Sequence, residues 1–249
     1  MHVSIPELVF IVIGATKKYP MKQTAETALD IPLMQYWEGS LDPKIEQISK
    51  DWASMHPELK YVRFDFVSAR DFIAKYLTSQ HVEAFDMCHL PAMQSDYFRV
   101  CHSLLRGGLY VDCGTEPKVT IPVRKWLTTG SVYLLRMDTG RIWNGCIVSN
   151  AHSKLLDSVL TMITKNILNR CDLFGRPSND VLWVTGPANY QHFRIPKNRK
   201  DYKVELFDEG QFFVRRHDFS HKQNGRHWSE VQKRTTIFRI ENEMESNER

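Results

Sequence analysis

Cysteine is scarce and badly spaced for cross-linking. The five cysteines in 249 residues are Cys88, Cys101, Cys113, Cys146 and Cys171, an odd number with no C-x-x-C pair. A disulfide framework and an ordinary zinc site are thereby disfavoured, and a reducing compartment fits better. Long apolar runs are also missing. Leu8 to Ile13 is a run of six, with Pro6 and Glu7 just before it, whereas a membrane span needs about 20 residues. It has neither a basic flank nor a cleavage site of the secretory type. The expectation is a buried strand in a cytoplasmic protein that is at most peripheral to a membrane. A strong charge bias is absent as well. Lys and Arg number 33 against 29 Asp and Glu, and +4 is too little to argue for nucleic acid. Neither an internal repeat nor a low-complexity linker interrupts the chain.

What is present suits a folded enzyme-sized domain. Apolar residues make up 42%, aromatics 11% and charged residues 25%. That composition buries a core without staples. Strand and helix signals alternate, which predicts a single α/β layered domain with a mostly parallel mixed sheet flanked by helices. Ile31 to Trp37 reads as a strand. Asp42-Pro43 opens a helix, with Asp42 as N-cap and Pro43 in the first turn. Tyr61 to Phe66 alternates as a strand, and Ser68 to Leu77 returns to helix. A further helix is predicted from Pro91 to Arg106, stopped by Gly107-Gly108. Leu109-Tyr110-Val111 is then a short strand with Asp112 at its end. Strands follow at Val132 to Met137 and near Cys146 to Val148, with a helix from Ser153 to Leu168. Val181 to Val184 reads as another apolar strand, and Glu241 to Arg249 as a frayed tail.

The unit of helix, Gly-Gly, strand and Asp carries the chemistry. Asp96 and Arg99 are three apart and project from one helix face. The glycine pair turns the chain into a buried strand, which delivers Asp112 to the carboxyl edge of the sheet. Open α/β folds bind ligands at that edge. A carboxylate there accepts hydrogen bonds from sugar or ribose hydroxyls, and an arginine neutralises phosphate or pairs with the carboxylate. Singly, these residues read as an i,i+3 pair, a helix stop and a turn carboxylate.

Together, Ser95, Asp96, Arg99, Leu104 or Leu105, Gly107, Gly108, Tyr110 and Asp112 form a stretch that resembles the signature of the DXD-containing glycosyltransferases of family 32. These include the glucosylating clostridial toxins among their relatives. Ile31 to Trp37, Asp51-Trp52, His56-Pro57 with Tyr61, Asn144 with Ile147-Val148, Thr185-Gly186-Pro187 and His227-Trp228 extend the resemblance over residues 31 to 232. The resemblance implies a GT-A-type domain with a nucleotide-binding half (31–118) and a donor/acceptor half (119–240), preceded by a lead-in over 1–30. It implies a hexosyltransferase acting on a UDP- or GDP-linked sugar with retention of configuration, in glycan or polysaccharide synthesis. The acceptor would be a glycan, a lipid-linked sugar or a protein.

Carried over by position, Gln35, Tyr36 and Trp37 belong to the nucleotide pocket, with Trp37 lining the base. Asp96 and Arg99 contact donor sugar and diphosphate. Gly108 belongs to the nucleotide-sugar site, Tyr110 packs near the ribose, Asp112 binds ribose or sugar hydroxyls, and Trp228 sits over the diphosphate or leaving group. Asp96, Arg99 and Asp112 are the catalytic candidates. The resemblance also implies a divalent cation, Mn²⁺ or Mg²⁺, but Gly114 stands where the family has its second DXD aspartate. Three outcomes stay open. Asp112 holds the cation with help from Glu116 and His227. Alternatively, Arg99 and the basic stretch from Arg215-Arg216 to Arg226-His227 offset the diphosphate without metal. The last outcome is a degenerate, non-catalytic sugar-nucleotide binder. His217 and His221, and the run Lys197 to Lys200, read as solvated loop. A nucleic-acid-binding α/β domain is the more distant alternative.

Overall fold

The computed structural model describes residues 30–194, 202–216, 218–219 and 226–239. The expected strand at Leu8 to Ile13, the tail from Glu241, Lys197 to Lys200, and His217 and His221 all lie outside the described residues. The chain runs β1 (Pro32–Tyr36), α1 (Pro43–Met55), β2 (Lys60–Phe64), α2 (Phe66–Tyr76), α3 (Ser79–Asp86), α4 (Pro91–Arg106) and β3 (Gly108–Val111). It continues through β4 (Thr115–Pro117), α5 (Val123–Leu127), β5 (Ser131–Arg136), β6 (Ile142–Ser149) and α6 (Lys154–Leu168). The last elements are α7 (Val181–Val184), α8 (Pro187–Arg194), β7 (Lys203–Asp208), α9 (Glu209–Phe212), β8 (Phe213–Arg215) and α10 (Trp228–Val231).

Six strands form the central sheet in the order β2-β1-β3-β6-β5-β7, and β4 pairs with β8 in a small second sheet. Within the central sheet β6 alone runs against its neighbours, so the sheet is mixed and mostly parallel. Alternation along the strands sends side chains to two cores, one on each face. Met34, Tyr36, Tyr110 and Ile147 face a cluster with α4 and α6. Leu33, Leu109, Val111 and Val148 face a second cluster with Trp52 of α1 and Phe213 of β8.

Local chemistry explains the ends of the elements. The Asp42 side chain accepts from the Lys44 N–H and Pro43 occupies the first turn of α1. Ser153 caps α6 through the Leu156 N–H. At the end of α4, Gly108 has φ +88°, and a Cβ there would lie 2.3 Å from the Pro32 carbonyl oxygen. Only glycine allows β3 to come in so close to β1. The apolar run Val181 to Val184 is a short helix, not the strand expected. Asp180 accepts from the Leu182 N–H and starts a helical turn there, and four apolar residues carry no period that separates the two states.

Helix α4 is buried along its length from Met93 to Leu105, polar residues included. His102 is 4% exposed and sits among Phe64, Phe72 and Phe98. Its Nδ1 has no hydrogen-bond partner among the described residues. Burial, and secondarily Arg106, pushes its pKa down to about 3. The unfolded imidazole titrates near its ordinary value of about 6.5. The unfolded state therefore takes up the proton first, and stability falls as pH drops from about 6.5 towards 3. By pH 5 this residue alone is expected to remove about 2 kcal/mol relative to pH 7. Urea titrations at both pH values check this. His102→Phe should flatten the slope, and an unchanged slope would refute the assignment.

Candidate active site

The site lies where α4, β3 and β6 meet. Arg99 is its centre, 4% exposed. Its Nε donates to the Ser95 carbonyl at 3.1 Å, Nη1 to the Asn144 carbonyl at 2.8 Å and Nη2 to Ser95 Oγ at 2.9 Å. The same Nη2 lies 3.2 Å from Asp96 Oδ1 and 3.1 Å from Asp112 Oδ1. The guanidinium also sits over the Tyr110 ring, 4.5 Å from its centroid. The planar fork thus spans two carboxylates and one aromatic face, a set of contacts that a lysine cannot reproduce.

Asp96 is buried and fully occupied. Asn144 Nδ2 donates to Oδ1 at 2.9 Å and Thr185 Oγ1 to Oδ2 at 3.2 Å. Burial pushes its pKa up to about 6, against the pull of Arg99 and Asn144. Burial also works against the Arg99 charge, but Asp112, Tyr110 and Asp96 together raise its pKa. Tyr110 donates to Asp112 Oδ1 at 2.5 Å and lies 2.9 Å from Ser95 Oγ. Asp112 keeps 30% of its side chain exposed. A single guanidinium between two carboxylates thus holds one of them, Asp112, at the surface while the other stays inside.

Sequence reading anticipated Asp96, Arg99, Tyr110 and Asp112, and the structure brings these four into one network. Gln35, Tyr36 and Trp37 lie one strand over, since β1 pairs with β3. Gln35 and Tyr36 are buried, while Trp37 is half-buried. Tyr61 Oη donates to Gln35 Oε1 at 2.9 Å, and Tyr36 Oη donates to Gln94 Oε1 at 3.0 Å. Cys113 Sγ reaches the Tyr36 carbonyl at 3.4 Å, which ties the strand end carrying Trp37 to the residue after Asp112. Trp228 packs against the first core. His227 caps α10, its side chain accepting from the Ser229 N–H.

The proposed cation ligands do not converge. Glu116 pairs with Arg216 at 2.5 Å. Among the described residues, which include Asp112, Glu116 and His227, no group of three His, Cys, Asp or Glu side chains is placed to hold a metal ion.

Sequence reading gave Gly145 and Trp143 no part in the site. A Cβ on Gly145 would lie 2.1 Å from Trp143 Cζ2 and 2.3 Å from Asp112 Oδ2. Ring and carboxylate therefore share the space a side chain would fill. The Gly145 carbonyl also accepts the Asp112 N–H at 2.8 Å. No local pattern signals this, because the two residues meet only through the pairing of β3 with β6. Gly145→Ala must displace the indole, the carboxylate or both. The expected result is about 1–3 kcal/mol of destabilisation, as for overpacked cores. Urea denaturation of the variant and the wild type checks it. Unchanged stability would mean that the two groups move aside freely.

The fold defines a class, a GT-A-type α/β domain like that of glycosyltransferases. One solved structure shares that fold. The domain entitled PaToxG Glycosyltransferase superposes with TM-score 0.50 at 15% identity, over 68% of this chain and 70% of that one. The ligand-free glycosyltransferase domain from the YGT toxin superposes with TM-score 0.47 at 9% identity, over 71% and 79%. In sequence, the chain is 27% identical over 95 residues to an initiation-specific alpha-1,6-mannosyltransferase of Schizosaccharomyces pombe. That stretch is 35% of this chain, and the chain spans about 24% of the length of that relative. No family model matches the chain. No helix among the described residues is long and apolar enough to cross a membrane.

Proposed function

We propose that this protein is a glycosyltransferase that moves a hexose from a nucleoside diphosphate sugar to an acceptor hydroxyl, with retention of configuration. The observation that carries the reading is the surface-held carboxylate of Asp112 at the carboxyl edge of β3, fixed by Arg99 and Tyr110. Asp112 is placed to accept hydrogen bonds from ribose or sugar hydroxyls. Arg99, Asp96 and Tyr110 are too buried to be the main donor contacts, and act by orienting Asp112. Gln35 and Tyr36 support the strand end from which Trp37 meets the base. In the reaction the acceptor oxygen bonds to the anomeric carbon as the bond to the diphosphate oxygen breaks. The nucleoside diphosphate leaves with that electron pair, and the acceptor proton passes to it or to solvent. Leaving-group stabilisation, not a protein nucleophile, then lowers the barrier. The acceptor is a glycan, a lipid-linked sugar or a protein, as expected for glycan assembly in the cytoplasm.

A melting-temperature screen against UDP-, GDP- and CDP-sugars, with Mn²⁺ and with EDTA, tests the donor half. A matching donor at about 100 times its Kd is expected to stabilise by about 2.7 kcal/mol. If none of these donors shifts the transition, the reading fails. Gly114 favours one second reading, a catalytically degenerate binder. Its signature would be a clear donor shift without turnover.

A further inference from the structure

The segment that follows Asp112 is arranged around arginine. Gly114 supplies no side chain, and its carbonyl accepts the Arg216 N–H at 2.9 Å. Thr115, Glu116 and Pro117 pair in antiparallel fashion with Arg215, Val214 and Phe213. Glu116, the nearest carboxylate along the chain, is neutralised by Arg216. Asp112 Oδ1 already accepts from Tyr110 and faces Arg99. A hard divalent cation wants several oxygen ligands, carboxylates above all. These residues offer it one carboxylate whose partners are already in place, so they do not fit the group that the DXD resemblance implies.

What they offer instead is a cation. On β8, Phe213 and Arg215 share a face, and both meet Trp143. The Arg215 guanidinium lies 5.0 Å from the centroid of the Trp143 ring. The benzene edge of that indole and Asp112 Oδ2 border the same small space above Gly145. Asp112, Trp143 and Arg215 thus stand in sequence across one patch, held there by β3, β6 and β8. Stacking on the indole pre-orders the guanidinium and lessens its hydration, the state in which it binds phosphate best.

We infer that Arg215, seated on Trp143, takes up the charge of the donor diphosphate in place of a divalent cation. The inference rests on the glycosyltransferase reading above and goes beyond it by assigning the leaving-group contact. When the bond to the anomeric carbon breaks, the diphosphate oxygen keeps the electron pair and gains one negative charge. The Arg215 fork donates two N–H bonds towards that charge. Trp143 fixes the angle of approach and closes one side of the patch to water.

Turnover of the matching UDP- or GDP-hexose by the full chain, in EDTA and in Mn²⁺, is the direct test. The two rates are expected to agree within about twofold. Binding of UDP and GDP themselves in EDTA, followed by melting temperature, gives a readout without turnover and should persist. Arg215→Met is expected to lower kcat by about 100-fold, with its circular-dichroism spectrum intact. Arg215→Lys should recover part of the loss, and Trp143→Leu should weaken nucleotide binding in EDTA. Turnover that disappears in EDTA and returns with Mn²⁺ would overturn the inference while leaving the transferase reading in place. A folded Arg215→Met with the wild-type rate would do the same. No turnover of any donor under either condition would sink the transferase reading and this inference with it.

Discussion

Arg99→Met is expected to destabilise the fold by about 3–5 kcal/mol near pH 7, the usual consequence of removing one partner from a buried ion pair. The guanidinium is 4% exposed and Asp96 is 6% exposed. Removing the positive charge leaves Asp96 with only the Asn144 amide and the Thr185 hydroxyl. The carbonyls of Ser95 and Asn144 lose the bonds that the Arg99 side chain gives them at the same time. The pH dependence has a definite sign. In the wild type burial already lifts Asp96 to about 6, against an ordinary value of 3.8. Its contribution to stability therefore declines as pH rises from about 4 through 6, because the folded state holds the proton longer. Without Arg99 that decline must extend to higher pH. The variant should thus be closest to wild type at pH 5 and furthest from it at pH 8. Urea denaturation at pH 5, 7 and 8 measures the gap. Asp96→Asn in the same chain should recover part of the loss, because the amide needs no countercharge. An Arg99→Met protein as stable as wild type at pH 8 would mean that Asp96 is not held in ionised form.

Much of this network was legible in the sequence because its members sit close together along the chain. Asp96 and Arg99 share a helix face by spacing alone, and Gly107-Gly108 announces the turn into β3. The helix from Pro91 to Arg106 has the predicted ends because proline at its start and glycine after it act locally. What failed to read was set by distant contacts or by weak periods. Trp143 and Gly145 come to Asp112 only through the pairing of β6 with β3, and Arg215 reaches Trp143 from β8, which pairs with β4. Strand β7 was missed because it is a short edge strand whose Val204, Leu206 and Phe207 are interspersed with the exposed Lys203, Glu205 and Asp208. Helix α3 was missed because its N-cap, Thr78, makes no side-chain cap bond and its polar face dominates. The strand expected at Val181 is a helix because Asp180 caps it, a signal present in the sequence but outweighed by four apolar residues in a row.

The second large effect concerns Asp112. Asp112→Ala should abolish donor turnover while the fold persists. The side chain is 30% exposed, and its removal strands no buried charge. Tyr110 keeps Ser95 Oγ, and Arg99 keeps Asp96. The stability cost should therefore stay near about 1–3 kcal/mol, that of one charged hydrogen-bond partner. Asp112→Asn is the sharper variant because it keeps the shape and the Tyr110 contact but loses the charge facing Arg99. A drop in kcat/KM of about 100- to 1,000-fold is expected, which corresponds to about 3–4 kcal/mol of transition-state stabilisation. Excess Mn²⁺ adds a second discrimination. If Asp112 worked chiefly as a metal ligand, the weakened site should refill at millimolar Mn²⁺ and recover activity. With Asp112 acting on sugar hydroxyls and Arg215 on the diphosphate, Mn²⁺ should leave the rate where it is. A folded Asp112→Asn protein with undiminished transfer would remove the carboxylate from the mechanism, and rescue by Mn²⁺ would return it to the metal.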